Sequence, residues 1–198
     1  SLACPRPWVG IGSNETYGSR IQQALNEKVY VISLAKGSMS TRDYVTDSFI
    51  KQYVCSGSVS YLVIQLGIVD CAPRLMTIFE RFIGFALSKV GFGKAIFGAY
   101  AQWKSKHRMF FTRWFPHVLI DLEEYKSNLD SILIEYTARN PIEKIILINI
   151  AYPGRSMTEK SWGILKNIGK YNEVIASLRS EHDTNVSIID LFAMTKEK

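Results

Sequence analysis

Leu62-Val63-Ile64-Gln65-Leu66-Gly67-Ile68-Val69-Asp70-Cys71-Ala72-Pro73-Arg74 is the stretch that decides the fold. An apolar run breaks at a glycine, and Asp70, Cys71 and Arg74 follow within a few residues. The run reads as a buried strand whose carboxyl end opens into a polar cluster. In open α/β sheets that edge is where ligands bind. The strand itself extends from Ser60 to Leu66, and three runs resemble it: Lys28 to Ala35, Lys144 to Ile150 and Asn185 to Leu191. All four are near-continuous in Val, Ile and Leu, as expected of strands covered on both faces of a parallel sheet.

Helical patterns alternate with these runs. Tyr17 to Asn26 spaces Ile21 and Leu25 by four residues. Thr41 to Val54 begins at a Ser40 or Thr41 cap, with Asp43 suited to the positive first turn. Leu122 to Asn140 repeats Leu129, Ile132, Leu133 and Tyr136 and stops at Asn140-Pro141, and Ile164 to Arg179 carries Ile168, Tyr171, Ile175 and Leu178. The alternation predicts right-handed crossovers and a doubly wound parallel sheet. With 198 residues, 47% of them hydrophobic, the chain has core enough for one domain over 1–198 and no room for a second full one.

One spacing breaks the pattern. Seventy-seven residues separate Leu66 from Lys144, where a crossover needs roughly a dozen. The Leu122 helix satisfies the crossover, so Ala72 to Pro116 is an insertion beside the strand's carboxyl end, helical over 76–116. Between Arg74 and Arg113 stand eight basic residues and only Glu80 in opposition, so this stretch carries the whole +6 excess of the chain. Eleven aromatics lie between Phe79 and Phe115. Residues 81–115 therefore read either as a contact for a membrane or other anionic surface, or as an amphipathic helical pair packed on the domain with solvated cations. A transmembrane span is not expected, because Lys89 and Lys94 interrupt the most apolar window.

Cys4, Cys55 and Cys71 are an odd number at wide spacings. They form no disulfide framework and no metal-ligand set, which points to reduced thiols and a cytoplasmic setting. No phosphate loop and no metal-binding histidine pair is present. Gly10, Gly12 and Gly18 miss the dinucleotide fingerprint because Glu15 takes its third place. Neither a cofactor, a metal nor nucleic acid is expected.

Ser1-Leu2-Ala3-Cys4-Pro5-Arg6-Pro7, followed by Tyr17-Gly18 at a helix start, resembles the segment after the first strand of SGNH/GDSL hydrolases. That strand ends Gly-Asp-Ser-Leu in the family, which implies Ser1 as nucleophile and a first strand upstream of it. Ile32 to Thr41 is similar to the second block, with Ser33 where Asn is usual, Ser38 at the place of the oxyanion-hole Gly, and Gly37 one residue before. Gly67-Ile68-Val69-Asp70 is similar to the third block, Gly-x-Asn-Asp, and Gly67 to Arg74 resembles a subgroup carrying Gly-Ile-Val-Asp-Cys-Ala-Pro-Arg. The likeness covers most of the chain outside Phe82 to Trp114. It implies a three-layer α/β/α sandwich of flavodoxin-like architecture and a serine ester hydrolase acting on a small-molecule or carbohydrate-linked acyl ester.

Two departures qualify that implication. Val69 replaces the Asn donor of the oxyanion hole, a loss typically worth about 2.7–4 kcal/mol in the transition state. Backbone N–H groups of Ser1 and Ser38 then suffice, or Arg74 supplies charge in its place; an ion pair between Arg74 and Asp70 is the other reading of that arginine. The second departure is the family's Asp-x-x-His block, expected beyond Lys198. His107 and His182 read as surface residues and His117 as structural, so the base is not expected among them. An SGNH-like module that binds a glycan or membrane surface without cleaving anything is the alternative function.

Overall fold

Three strands, β1 (Tyr61–Ile64), β2 (Lys144–Ile148) and β3 (Val186–Ile189), pair in parallel in the order β1-β2-β3. The computed structural model describes residues 12–26, 28–55, 59–182 and 185–196. Among these the helices are α1 (Tyr17–Ala24), α2 (Thr41–Thr46), α3 (Ser48–Cys55), α4 (Ile68–Cys71), α5 (Ile78–Leu87), α6 (Gly93–Lys106), α7 (Arg108–Trp114), α8 (Leu122–Arg139), α9 (Arg155–Lys160), α10 (Ile164–Glu181) and α11 (Leu191–Lys196). The chain is α/β, and it divides into two compact units, residues 1–39 and 40–198.

The sheet belongs to the second unit. Its register sets Leu62, Ile145 and Val186 abreast, then Ile64, Leu147 and Ile188. Ile64, Ile145, Leu147 and Val186 are buried on that face, whereas Val63 and Ile189 on the other are exposed. Ile146 and Ile148 on that second face are half-buried, and topology accounts for the difference between the faces. Right-handed crossovers that place each new strand on the same side of the last put their helices on one face. Here α8 joins β1 to β2 and α10 joins β2 to β3, and the two helices pack together with Tyr125 and Tyr171 at a ring separation of 4.8 Å.

The sequence explains both helices. Asp121 caps α8 by accepting the Glu124 N–H at 2.8 Å, and the helix stops at Asn140, held extended before Pro141. Leu129, Ile132, Leu133 and Tyr136 on α8, with Ile168, Tyr171, Ile175 and Leu178 on α10, are the buried stripes the spacing predicts. Each such side chain stabilises the fold by about 1.5–3 kcal/mol on burial. Lys126–Glu181 and His182–Asp130, both at 2.7 Å, join the two helices at their rim.

Two other expectations change. Thr41 to Val54 is two helices, because Asp47 leaves the helical conformation and its carboxylate accepts the Ile50 N–H at 3.2 Å, starting α3 afresh. Lys28 to Ala35 forms no strand. In this first unit Thr16 caps α1, and a side chain on the buried Gly18 would touch Val31 at 3.3 Å. Tyr30 is 85% exposed, and the Val31 N–H donates to the Gln22 side chain at 3.3 Å instead of to a ladder. A strand exists only through its neighbours, and this segment pairs with none among the described residues.

The insertion forms three helices, α5 to α7, where a helical pair is one of the expectations. Its α5–α6 contact is close: a side-chain carbon at Gly84 would meet the Phe97 ring at 2.2 Å, so any larger residue there would have to displace that ring. Glu80 closes the other end. One of its oxygens accepts Lys104 Nζ at 2.6 Å and the Tyr100 hydroxyl, and the other accepts the Thr77 N–H at 2.8 Å in a capping box. Burial alone raises the Glu80 pKa, but these donors outweigh it and bring the carboxyl down to about 2.

A carboxyl depressed in the folded state stabilises the insertion fully above the unfolded value near 4.5 and ceases to do so as pH falls toward about 2. Acid titration followed by tryptophan fluorescence should show a transition of the Trp103 region in that window. Glu80→Gln should abolish it. Superimposable acid profiles for the two proteins would show that another group controls it.

Candidate functional site

The polar cluster after β1 is built on Gly67, whose φ of 122° lies outside the range open to other residues. A side-chain carbon there would sit 2.6 Å from the Tyr125 hydroxyl and 2.7 Å from Ile150. Tyr125 uses that hydroxyl to hold the Leu66 carbonyl at 3.2 Å, and the chain turns at once into the single turn of α4. The Leu119 N–H donates to the Asp70 carbonyl at 3.2 Å, and Asn167 Nδ2 donates to the Cys71 carbonyl at 3.0 Å. The loop is thus pinned from three directions.

Asp70 is fully buried. Its Oδ1 accepts the Thr41 N–H at 2.9 Å and the Thr41 hydroxyl at 2.8 Å, and Asn128 Nδ2 donates to that hydroxyl oxygen at 3.1 Å. Ser40 and Asp43 form a reciprocal capping box around the same turn, with the Ser40 N–H on Asp43 at 2.7 Å. The other Asp70 oxygen, Oδ2, is buried without a hydrogen-bond partner. Desolvation raises the Asp70 pKa, and the two Thr41 donors oppose that rise. The carboxylate links α2 to the loop after β1.

Arg74 does not pair with Asp70. Its guanidinium donates to the Val69 carbonyl, five residues back along its own loop, and its Nε is buried without a partner. The backbone N–H of Arg74 donates to the His117 carbonyl at 2.9 Å. Arg108 braces the same turn, with one guanidinium nitrogen on the Pro73 carbonyl at 2.9 Å and Nε on Ser161 at 2.7 Å. Burial, together with the neighbouring Arg74 charge, lowers the Arg108 pKa. Cys71 is a free, fully buried thiol pushed up to about 12 by desolvation, which keeps it protonated and unreactive.

The histidines are spread apart. His107 caps the end of α6 with Nδ1 at 2.9 Å from the Trp103 carbonyl. His182 lies before β3 on Asp130, as above. His117 meets the loop through its own carbonyl. Its Nδ1 lies 3.1 Å from the Phe115 carbonyl, which can only accept, so that nitrogen is the donor of the bond. Nε2 is buried and unpartnered.

Of the residues marked in the sequence, Gly67, Val69, Asp70 and Arg74 share one loop. Ser1 lies outside the described residues, as does Cys4. Gly37 and Ser38 belong to the first unit, where Ser38 has a φ of 65°. That left-handed conformation is costly for any residue with a β-carbon and easy for glycine. Thr41 reads from the sequence only as a candidate helix cap, and Asn128 and the pair Asn149–Asp190 carry no reading there. Asn149 donates to Asp190 at 2.7 Å and accepts the Phe192 N–H at 2.9 Å, tying together the carboxyl ends of β2 and β3. The bonds from the Ala193 N–H and from Asn149 hold Asp190 below the usual carboxylate range. An Asn and an Asp, each one residue before the end of a predicted strand, were the available signal.

Among the described residues no group of three His, Cys, Asp or Glu side chains is placed to hold a metal ion, and no helix is long and apolar enough to cross a membrane. Compared with family models, curated proteins and solved structures, the chain matches none of them.

A carboxyl raised in the folded state favours folding most below its unfolded value and progressively less as pH rises through the folded one. Wild type should therefore lose stability relative to Asp70→Asn as pH rises above the ordinary Asp value near 3.8, followed by denaturant unfolding. Parallel stability curves would remove Asp70 as the titrating group. Thr41→Val, which deletes a hydroxyl donor to a charged acceptor, should lower stability at pH 7 by about 1.5–3 kcal/mol.

Proposed function

We propose that this chain is the core of a serine ester hydrolase of the SGNH/GDSL kind, working by acyl transfer on an acyl ester or a carbohydrate-O-acyl ester. The observation that carries the reading is the Asp70–Thr41 link. Thr41, the last residue of the second block of the resemblance, and Asp70 of the third are distant in sequence and joined through one buried carboxylate. The left-handed Ser38 adds support, since it stands where the family places glycine. A parallel sheet in the order β1-β2-β3, with helices on one face, fits the second half of a flavodoxin-like sheet, and a three-layer sandwich would cover the more exposed face.

In this mechanism Ser1 attacks the ester carbonyl, and a histidine of an Asp-x-x-His block takes its proton and returns it to the leaving alcohol. The carbonyl oxygen becomes an oxyanion, held by the backbone N–H groups of Ser1 and Ser38. Val69 offers no side-chain donor. The Arg74 guanidinium, already folded back onto the Val69 carbonyl, is the nearest replacement for the missing Asn. Substrate then either lies close enough to share that guanidinium, or depends on the backbone donors alone.

The test uses the reading frame extended in both directions, which should add Gly-Asp immediately before Ser1 and Asp-x-x-His after Lys198. In that protein Ser1→Ala should lower kcat for p-nitrophenyl acetate by more than about a thousandfold. Arg74→Ala should lower it by about 10²–10³, the effect of losing one oxyanion donor. A Ser1→Ala variant with wild-type turnover would sink the enzyme reading, as would an extended frame without the histidine. Unchanged kinetics for Arg74→Ala would remove that residue from the oxyanion site only.

A further inference from the structure

The tip of the insertion carries large apolar side chains that are mostly exposed, and Lys89 Nζ lies 5.1 Å from the centre of the Phe85 ring. Phe79, Phe82 and Phe85 on α5 are 71%, 68% and 64% exposed, Val90 and Phe92 in the following turn are 57% and 83%, and Ile96 on α6 is 65%. They do not turn inward because the helices already meet through other residues. Gly84 receives the Phe97 ring, and a side-chain carbon on Gly93 would lie 2.2 Å from the Leu87 carbonyl. The two backbones approach too closely to accommodate more.

The polar chemistry of the same surface is one-sided. From Ile78 to Ile96 there is no Asp, Asn or Gln. Glu80 is consumed by Lys104, Tyr100 and Thr77, and the Ser88 hydroxyl donates to the Phe85 carbonyl at 2.7 Å. What remains outward is Arg81, Lys89 and Lys94, all exposed. A sugar is gripped by carboxylates and amides beside an aromatic ring, and none is free here. A second copy of the chain would bring these cations against themselves, since a two-fold contact pairs like with like. A nucleic acid would satisfy the cations and leave Val90 and Ile96 in water. An anionic bilayer satisfies both sets at once, with rings at the headgroup–acyl boundary and cations at the phosphates.

We propose that the α5–α6 tip is a peripheral membrane-docking surface for an anionic phospholipid bilayer, entered by Phe82, Phe85, Val90 and Phe92 and held by Arg81, Lys89 and Lys94. No described helix is long and apolar enough to cross the bilayer, so the contact lies in the interfacial plane. The proposal is independent of the esterase reading.

Cosedimentation tests it, using mixed phosphatidylcholine–phosphatidylglycerol vesicles beside vesicles of phosphatidylcholine alone. The protein should pellet with the mixed vesicles, less so at high salt as the charges are screened, and little with the neutral ones. Phe82→Ser with Phe85→Ser, and separately Lys89→Glu with Lys94→Glu, should each weaken partitioning by at least about tenfold. Ile134→Ser, at an exposed position on α8, should leave it unchanged, and circular dichroism should be the same for all. Failure to pellet with the mixed vesicles overturns the proposal. So does wild-type pelleting by both double variants. Size-exclusion or RNA-shift data in which the Phe82/Phe85 variant loses self-association or RNA binding, with no vesicle binding in the wild type, overturn it in favour of another partner.

Discussion

A carboxylate removed from water must be compensated where it stands, and Asp70 is the group in this chain that imposes that condition. Burying an ionised carboxyl without partners is prohibitive, and a single orphaned polar group already costs a few kcal/mol. Asp70 meets the condition with two donors from one residue, Thr41, and leaves its second oxygen unpaired. The balance holds only while the start of α2 and the loop after β1 keep their positions to a few tenths of an ångström. Gly67, Tyr125, Leu119 and Asn167 fix the loop, while Ser40, Asp43 and Asn128 fix the turn. Rigidity at this edge of the sheet is therefore a consequence of electrostatics as much as of packing.

Much of the framework can be read from residue pattern alone. The three paired strands and the two long crossover helices coincide with the apolar runs and stripes, and the ends of α8 follow from Asp121 and Pro141. The failures share a cause, which is that pattern describes a segment and not its neighbours. Val29 to Leu34 has the composition of a strand, but pairing needs a second backbone alongside. Asp47 suits either a helix interior or a fresh cap, and only the Ile50 contact decides. Which sheet face each crossover helix covers depends on strand order, which composition does not encode.

The site was legible as a place more than as a set of bonds. Gly67, Asp70 and Arg74 declare themselves because polar residues crowd the end of an apolar run. The partners of each are another matter. Opposite charge suggests that Arg74 would meet Asp70, yet the arginine bends back to the Val69 carbonyl and a neutral threonine holds the carboxylate. His117, which reads as structural from its place after Pro116, reaches the same loop through its carbonyl. Backbone groups carry these links, and backbone groups leave no mark in a sequence.

The tight seam between α5 and α6 has an evolutionary corollary. Its contacts, Gly84 on Phe97, Gly93 on Leu87 and Glu80 on Lys104, all fall within the insertion, so the tip owes its shape to itself and not to the sheet. Residues beyond that seam can be exchanged, lengthened or recharged without disturbing Asp70 or its partners. Under the two proposals, attachment and chemistry would be decoupled: a lineage could retune what the molecule adheres to while the sheet edge is inherited unaltered.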